Sequence, residues 1–496
     1  MTRFLRTALP FTPLLCLHAA VTLPAVFTDH MVIQRGQPVH VWGHADPGES
    51  VSVTFRGQTR AAAADDLGSW SVYLPPGEAG GPFELTARAA NSITISDVLV
   101  GDVWVASGQS NMEFPLKNAV NGGAEVAAAT HPRIRLFLVK RRSELYPATD
   151  VEANPWAQCT PDSAADFSAV AYFFARQIED TQHVPIGLIE SNWGGTPADT
   201  WTRLGAISAD AGLMPVFAEW ARMTEEHAAN EQRREIDYRA AIERARAEGK
   251  PAPERPWAAN TQNEWMPSGL WNGMIAPLTA FPIRGVIWYQ GESNASVERA
   301  PLYARLFETM ITDWRRAWAV GDFPFLFVQL ANFKAGGGPG WPELREAQLQ
   351  TLSLVNTGMA VTIDIGAPDD IHPKDKQDVG LRLALAARAI AYGEKLEYSG
   401  PLFRAARPEN GAMRVWFDHA QSGLAAHGGG PLRGFEIAGR DGKFVPAEAR
   451  VDGETVVVSS AQVTSPTEVR YGWADNPDCN LFNGAGLPAS PFRSAP

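Results

Sequence analysis

Four polar, glycine-bearing segments each follow an apolar run of strand character. Ser107-Gly-Gln-Ser-Asn-Met112 follows the run 98–106, and Glu190-Ser-Asn-Trp-Gly-Gly-Thr-Pro197 follows 184–189. Tyr289-Gln-Gly-Glu-Ser-Asn294 follows 283–288, and Gly366-Ala-Pro-Asp-Asp-Ile-His372 follows 359–365. Ligands of an open parallel sheet bind beyond the carboxyl ends of its strands, so the four segments are expected to meet at one edge. A serine nucleophile needs a base, a group that orients the base, and donors for the developing oxyanion. Ser110 sits in a tight turn at a strand end, where its hydroxyl is presented outward. His372 is the candidate base, and Asp369, three residues earlier on the same segment, the candidate orienting acid. Gly194 and Gly195 allow a backbone N–H to approach an oxyanion closely, and the Gln290 amide is a further donor. Gly108-Gln-Ser-Asn-Met112 is not the G-x-S-x-G elbow of the common hydrolase fold, because Met112 fills the last place. A metal site built on His372, Asp369 and Asp370 is disfavoured: of the 10 His, none stands at His-x-x-x-His spacing from His372.

The elements that must position these residues change texture along the chain. Residues 21–97 alternate apolar and polar residues in short runs (Val39-His-Val-Trp42, Ser71-Val-Tyr-Leu74) between turn formers such as Asp46-Pro-Gly48, which predicts a small β-sandwich. From 98 to 398, apolar runs of strand length alternate with amphipathic stretches. Phe167, Val170, Phe174 and Ile178 share one helical face, as do Val379, Leu383, Ala386 and Ile390. Continuous apolar strands alternating with helices predict an α/β fold whose mostly parallel sheet is covered on both faces. A charged helical insertion is expected at about 216–256, and β texture returns over 399–496. Gly336-Gly-Gly-Pro-Gly340 is no nucleotide loop, because no Lys-Ser/Thr follows and Pro339 removes a donor.

The chain has 496 residues, 45% hydrophobic and 20% charged, an ordinary globular composition that excludes a disordered or collagenous protein. Its 43 basic against 55 acidic residues give −12, a poor fit to a nucleic-acid phosphate backbone. Residues 1–20 carry Arg3 and Arg6 before an apolar stretch ending in Ala19-Ala20, as in a signal peptide, so export to the periplasm or the medium is expected. No later window is apolar enough to span a bilayer. After cleavage only Cys159 and Cys479 remain, and spacing alone does not decide whether they pair. Arg203 and Arg345 are candidate carboxylate binders.

Gly101-Asp-Val-Trp-Val-Ala-Ser-Gly-Gln-Ser-Asn-Met112, Trp288-Tyr-Gln-Gly-Glu-Ser-Asn294 and Asp370-Ile-His-Pro-Lys-Asp-Lys376 resemble segments of the sialate O-acetylesterase family, a branch of the SGNH serine esterases. The likeness runs from Leu23-Pro-Ala-Val-Phe27 to the closing Gly472-Trp-Ala-Asp-Asn-Pro-Asp-Cys-Asn-Leu-Phe482. It implies a flavodoxin-like (SGNH) hydrolase core that removes acetyl groups from sugar hydroxyls without a metal or other cofactor. Carried over by motif, Ser110 is the nucleophile and His372 the base. The N–H groups of Ser110 and the Gly194-Gly195 turn would line the oxyanion hole, with Gln290 or Asn294 as side-chain donor. Where the broader superfamily has Gly-Asp-Ser, this chain has Gly108-Gln-Ser110. Asp369 stands at the superfamily's D-x-x-H spacing, with Asp370 and Asp364 as alternatives. A glycan-binding protein on an inactive esterase scaffold is the reading from a different class; such relatives usually lose the nucleophile or the base, and both are present.

Overall fold

The computed structural model describes residues 20–255, 260–335 and 340–494. The expected leader up to residue 19 and residues 336–339 of the glycine run lie outside them.

One long strand, β1 (Ser92–Gly108), organises the molecule. Its first half pairs antiparallel with Gly80–Arg88 of the N-terminal region, and its second half lies at the centre of the large sheet. The division expected at 97/98 therefore falls inside a single strand, at Asp97, whose φ of 54° bends it. The strands Val39–His44 and Ser69–Leu74 bury alternate residues, as a period of two demands, and their apolar side chains join the same core as the large sheet.

The other large-sheet strands are β2 (His131–Leu138), β3 (Ala157–Cys159), β4 (Ile186–Asn192), β5 (Gly285–Tyr289), β6 (Phe325–Val328) and β7 (Thr357–Ala360). They run in the order β7-β6-β5-β1-β4-β2-β3, all parallel except β3. β4, β5 and β6 are buried at every residue, as strands covered on both faces must be. Two tryptophans mark the two faces. Trp104 packs edge-on to Phe174 of α1 (Ala169–Gln182), whereas Trp288, aligned with Ser107 and so on the opposite face, packs on Trp314 of α3 (Ala300–Trp318). The charged stretch expected to be helical is α2 (Met214–Ala247), 34 residues laced by pairs such as Arg222–Glu226 and Arg239–Glu235.

Beyond Gly400, two four-stranded antiparallel sheets enclose a separate core that includes Val415, Ile437, Val456 and Tyr471. Arg345 of α4 (Trp341–Gln350) links this region to the large sheet. It is fully buried and donates to the carbonyls of Leu330, Ala331, Ala474 and Asp475 at 2.7–2.8 Å. Burial lowers its pKa to about 9. Arg203 pairs with Asp313 and lies over the Trp271 ring. Arg345 is thus spent inside the fold, and the carboxylate that Arg203 engages is the protein's own Asp313. Cys159 and Cys479 are both free thiols: one lies on edge strand β3 and the other packs beside Gly434 near the C-terminal core. Among the described residues, no helix is long and apolar enough to cross a membrane.

Candidate active site

The four polar segments do converge beyond the carboxyl ends of β1, β4, β5 and β7. Gly108 ends β1 with φ +136°, and a Cβ there would lie 2.2 Å from the Tyr289 carbonyl oxygen, so only glycine lets β1 and β5 close here. The next residue, Gln109, donates its N–H to that same carbonyl at 3.0 Å. Ser110 then opens the short helix Ser110–Glu113. The N-terminus of α1 braces that helix: Ser168 caps α1 by accepting from the Ala171 N–H, and its hydroxyl donates to the Met112 carbonyl at 2.6 Å.

His372 lies on the segment between β7 and α5 (Lys376–Ile390). Its Nε2 is 2.8 Å from Ser110 Oγ, across 262 residues of sequence. Burial, and then the charge of Lys376, hold the imidazole below its usual pKa, against the opposing pull of Asp370 and Glu113. The histidine is therefore neutral at pH 7 and able to take a proton.

The three acidic candidates part ways. Asp370 Oδ1 accepts the backbone N–H of His372 at 2.9 Å, an Asx-turn that folds this side chain back on its own loop. Asp369 points outward: its carboxylate is 85% exposed and pairs with Lys334 at 3.2 Å. Asp364 is held by Arg382 through two bonds of 2.6 and 2.7 Å. Among the described residues, no carboxylate hydrogen-bonds Nδ1 of His372. Asp369 is thus not brought to the imidazole: it faces solvent, while its neighbour Asp370, also exposed, caps the loop.

The oxyanion candidates also divide. A Cβ on Gly194 would come within 3.2 Å of Ser110 Cβ, so the glycine turn stands directly beside the nucleophile. The Gly194 N–H donates to Glu113 Oε2 at 2.8 Å, and Gly195 has φ +76°. Gln290 is fully buried, with its Nε2 committed to Thr196 O at 3.2 Å and Asn294 Oδ1 at 2.7 Å. Asn294 Oδ1 also accepts from the Ala198 N–H at 2.9 Å. These two amides pin the loop that carries Gly194 and Gly195; they do not themselves face the nucleophile.

An open cleft of about 590 Å³ lies over Ser110 and His372, lined also by Glu113, Arg141, Glu190 and Asn192. Sequence reasoning passed over those last four, although Glu190 and Asn192 stand where a parallel strand ends. Glu190 is buried, which pushes its pKa up to about 8, and it accepts from Asn192 Nδ2 at 3.0 Å. Arg141 pairs with Glu113 and lies 5.7 Å from the centre of the Trp193 ring.

A half-buried serine–imidazole contact beside a glycine turn, at the carboxyl edge of a parallel sheet, defines the equipment of a hydrolase. Residues 257–391 match the family model "Carbohydrate esterase, sialic acid-specific acetylesterase". The chain is 31% identical to the sialate O-acetylesterase of Mus musculus over 94% of this chain and 93% of that protein. It is 34% identical to that of Homo sapiens over 75% and 71%. Among solved structures, a carbohydrate acetylesterase from Xanthomonas citri superposes with a TM-score of 0.83 at 42% identity, covering 95% of this chain and 99% of the other. The chain belongs to the sialate O-acetylesterase family and is a carboxylic ester hydrolase.

Proposed function

We propose that the protein is an exported serine esterase that removes O-acetyl groups from carbohydrates, with O-acetylated sialic acid first among candidate substrates because the curated relatives bear that name. The observation that carries the reading is the 2.8 Å contact between Ser110 Oγ and His372 Nε2. The strand order supports an SGNH core: counted in chain order without β2 and β3, the run β4-β1-β5-β6-β7 is 2-1-3-4-5, the flavodoxin-like order.

The chemistry is acyl transfer in two steps. His372 takes the Ser110 proton as Oγ attacks the acetyl carbonyl, and the imidazolium then protonates the departing sugar oxygen. Water, deprotonated by the same imidazole, hydrolyses the acetyl-enzyme. The N–H groups of Ser110 and Gly194 stabilise the oxyanion, Gly194 exchanging Glu113 for the substrate oxygen. Asn192, held by Glu190, brings a side-chain amide to the lining of the cleft. Asp370, and then Glu113, favour the imidazolium through their charge.

Acetate release from O-acetylated sialic acid, acetylated xylooligosaccharides and a chromogenic acetyl ester tests this reading. Ser110→Ala should lower kcat at least about 10⁴-fold. Release that survives the substitution would remove Ser110 as nucleophile, and a wild type silent on all three would favour glycan binding without turnover.

A further inference from the structure

Since no described carboxylate bonds Nδ1 of His372, something else must hold base and nucleophile in register. The side chain of Asn111 joins them. Asn111 follows Ser110, and its Nδ2 donates to the carbonyl of Ile371, the residue before His372, at 3.0 Å. One amide thus ties the turn carrying the nucleophile to the loop carrying the base.

That amide is fixed in a single orientation. Its second N–H goes to Glu292 Oε1 at 2.5 Å, and its Oδ1 accepts from Lys376 Nζ at 2.5 Å. A flipped amide would set its NH₂ against the lysine and its oxygen against two acceptors. Asn111 and Lys376 are 1% and 0% exposed. The ammonium lies 4.9 Å from the centre of the Phe114 ring and 5.2 Å from that of Tyr289. Glu292 Oε2 is buried without a partner. Burying an amide, a lysine and a half-satisfied carboxyl together is a poor way to stabilise a fold, where apolar side chains of the same volume do as well or better. Such a group belongs where orientation matters more than stability.

We propose that Asn111 is a positioning residue of the esterase reaction, and that Glu292 and Lys376 hold its amide so that the His372 loop stays in register with Ser110. The proposal rests on the Ser110–His372 reading above. The clamp acts on the base through the backbone, a task that a carboxylate on Nδ1 performs in a Ser-His-Asp triad.

The test is steady-state hydrolysis of a chromogenic acetyl ester by Asn111→Ala, Asn111→Asp, Glu292→Gln and Glu292→Leu, beside Ser110→Ala and His372→Ala. Displacement of the base by about 1 Å costs on the order of 10²-fold in rate. Both Asn111 variants should therefore lose about that in kcat, with KM within about threefold of wild type. Glu292→Gln keeps an oxygen for Asn111, so it should retain at least tenfold more kcat than Glu292→Leu. Covalent labelling of Ser110 by an organophosphonate should slow in parallel with kcat, a readout that lost substrate affinity would not move. Should an Asn111 variant fail to fold, the Glu292 pair and the labelling rates carry the test. Asn111→Ala within threefold of wild-type kcat, equal rates for the two Glu292 variants, or a loss confined to KM would each overturn the clamp. Activity surviving in Ser110→Ala or His372→Ala would instead overturn the reading beneath it.

Discussion

Replacing Asp369 and Asp370 one at a time by asparagine separates a carboxylate-driven triad from the arrangement described above. In a triad whose acid bonds Nδ1, the Asp→Asn change drops kcat by about 10⁴. Here Asp369 is exposed and paired with Lys334, and an exposed pair contributes roughly 0.2–1 kcal/mol. Even if the whole of that were expressed in the barrier, Asp369→Asn would cost no more than about fivefold. Asp370→Asn keeps an oxygen for the His372 N–H and loses only the charge. Hydrogen bonds to charged groups contribute about 1 kcal/mol more than neutral ones, so roughly five- to tenfold in kcat is expected. The Asp370 carboxylate raises the His372 pKa, so its removal should move the acid limb of the kcat/KM profile to lower pH, while Asp369→Asn leaves that limb in place. The assay is kcat/KM for a chromogenic acetyl ester between pH 4 and 8. A loss of 10³-fold or more in Asp369→Asn would refute the reasoning, because it would mean that this carboxylate leaves Lys334 for Nδ1 during turnover.

Two further outcomes follow from the same geometry. Wild-type kcat/KM should fall as pH drops through the His372 pKa, below the ordinary value of 6.5, and Lys376→Met should move that limb upward, since the lysine's charge holds the pKa down; a downward or absent displacement would contradict the electrostatics. Gln290→Leu leaves the partners Thr196 O, Asn294 Oδ1 and Tyr303 Oη underbonded, so urea unfolding should show a loss of roughly 1–3 kcal/mol. Unchanged stability with kcat down 10²-fold would return Gln290 to the oxyanion hole.

How much of this was legible in the sequence depends on whether an interaction is set by the strand ends or by the loops between them. The run of wholly buried parallel strands, the two β-rich flanks and the long charged helix are written in residue periodicity, and all appear. Ser110 and Gly194 each lie two residues past a strand end, where the sheet itself determines placement, and His372 reaches them from the segment between β7 and α5, just ahead of the helix. Asp369 and Gln290 depend on which way a side chain turns within a loop, and spacing does not encode that. A carboxylate at i−3 can fold back to the imidazole, but here Asp370 caps the His372 N–H, and Asp369 is turned to solvent and to Lys334. Gln290 was read as a donor because it follows a strand, yet Asn294, four residues on, draws its amide into a bond that braces the opposite loop. The same logic explains why Asn111 went unnoticed. Its partners are a residue of the β5 loop, a backbone carbonyl and a lysine 265 positions away, and only the closed sheet brings them to one amide. The nucleophile and base are therefore legible as residues, whereas the groups that hold them in register are legible only as contacts, because those contacts arise from three loops meeting and from no one segment's pattern.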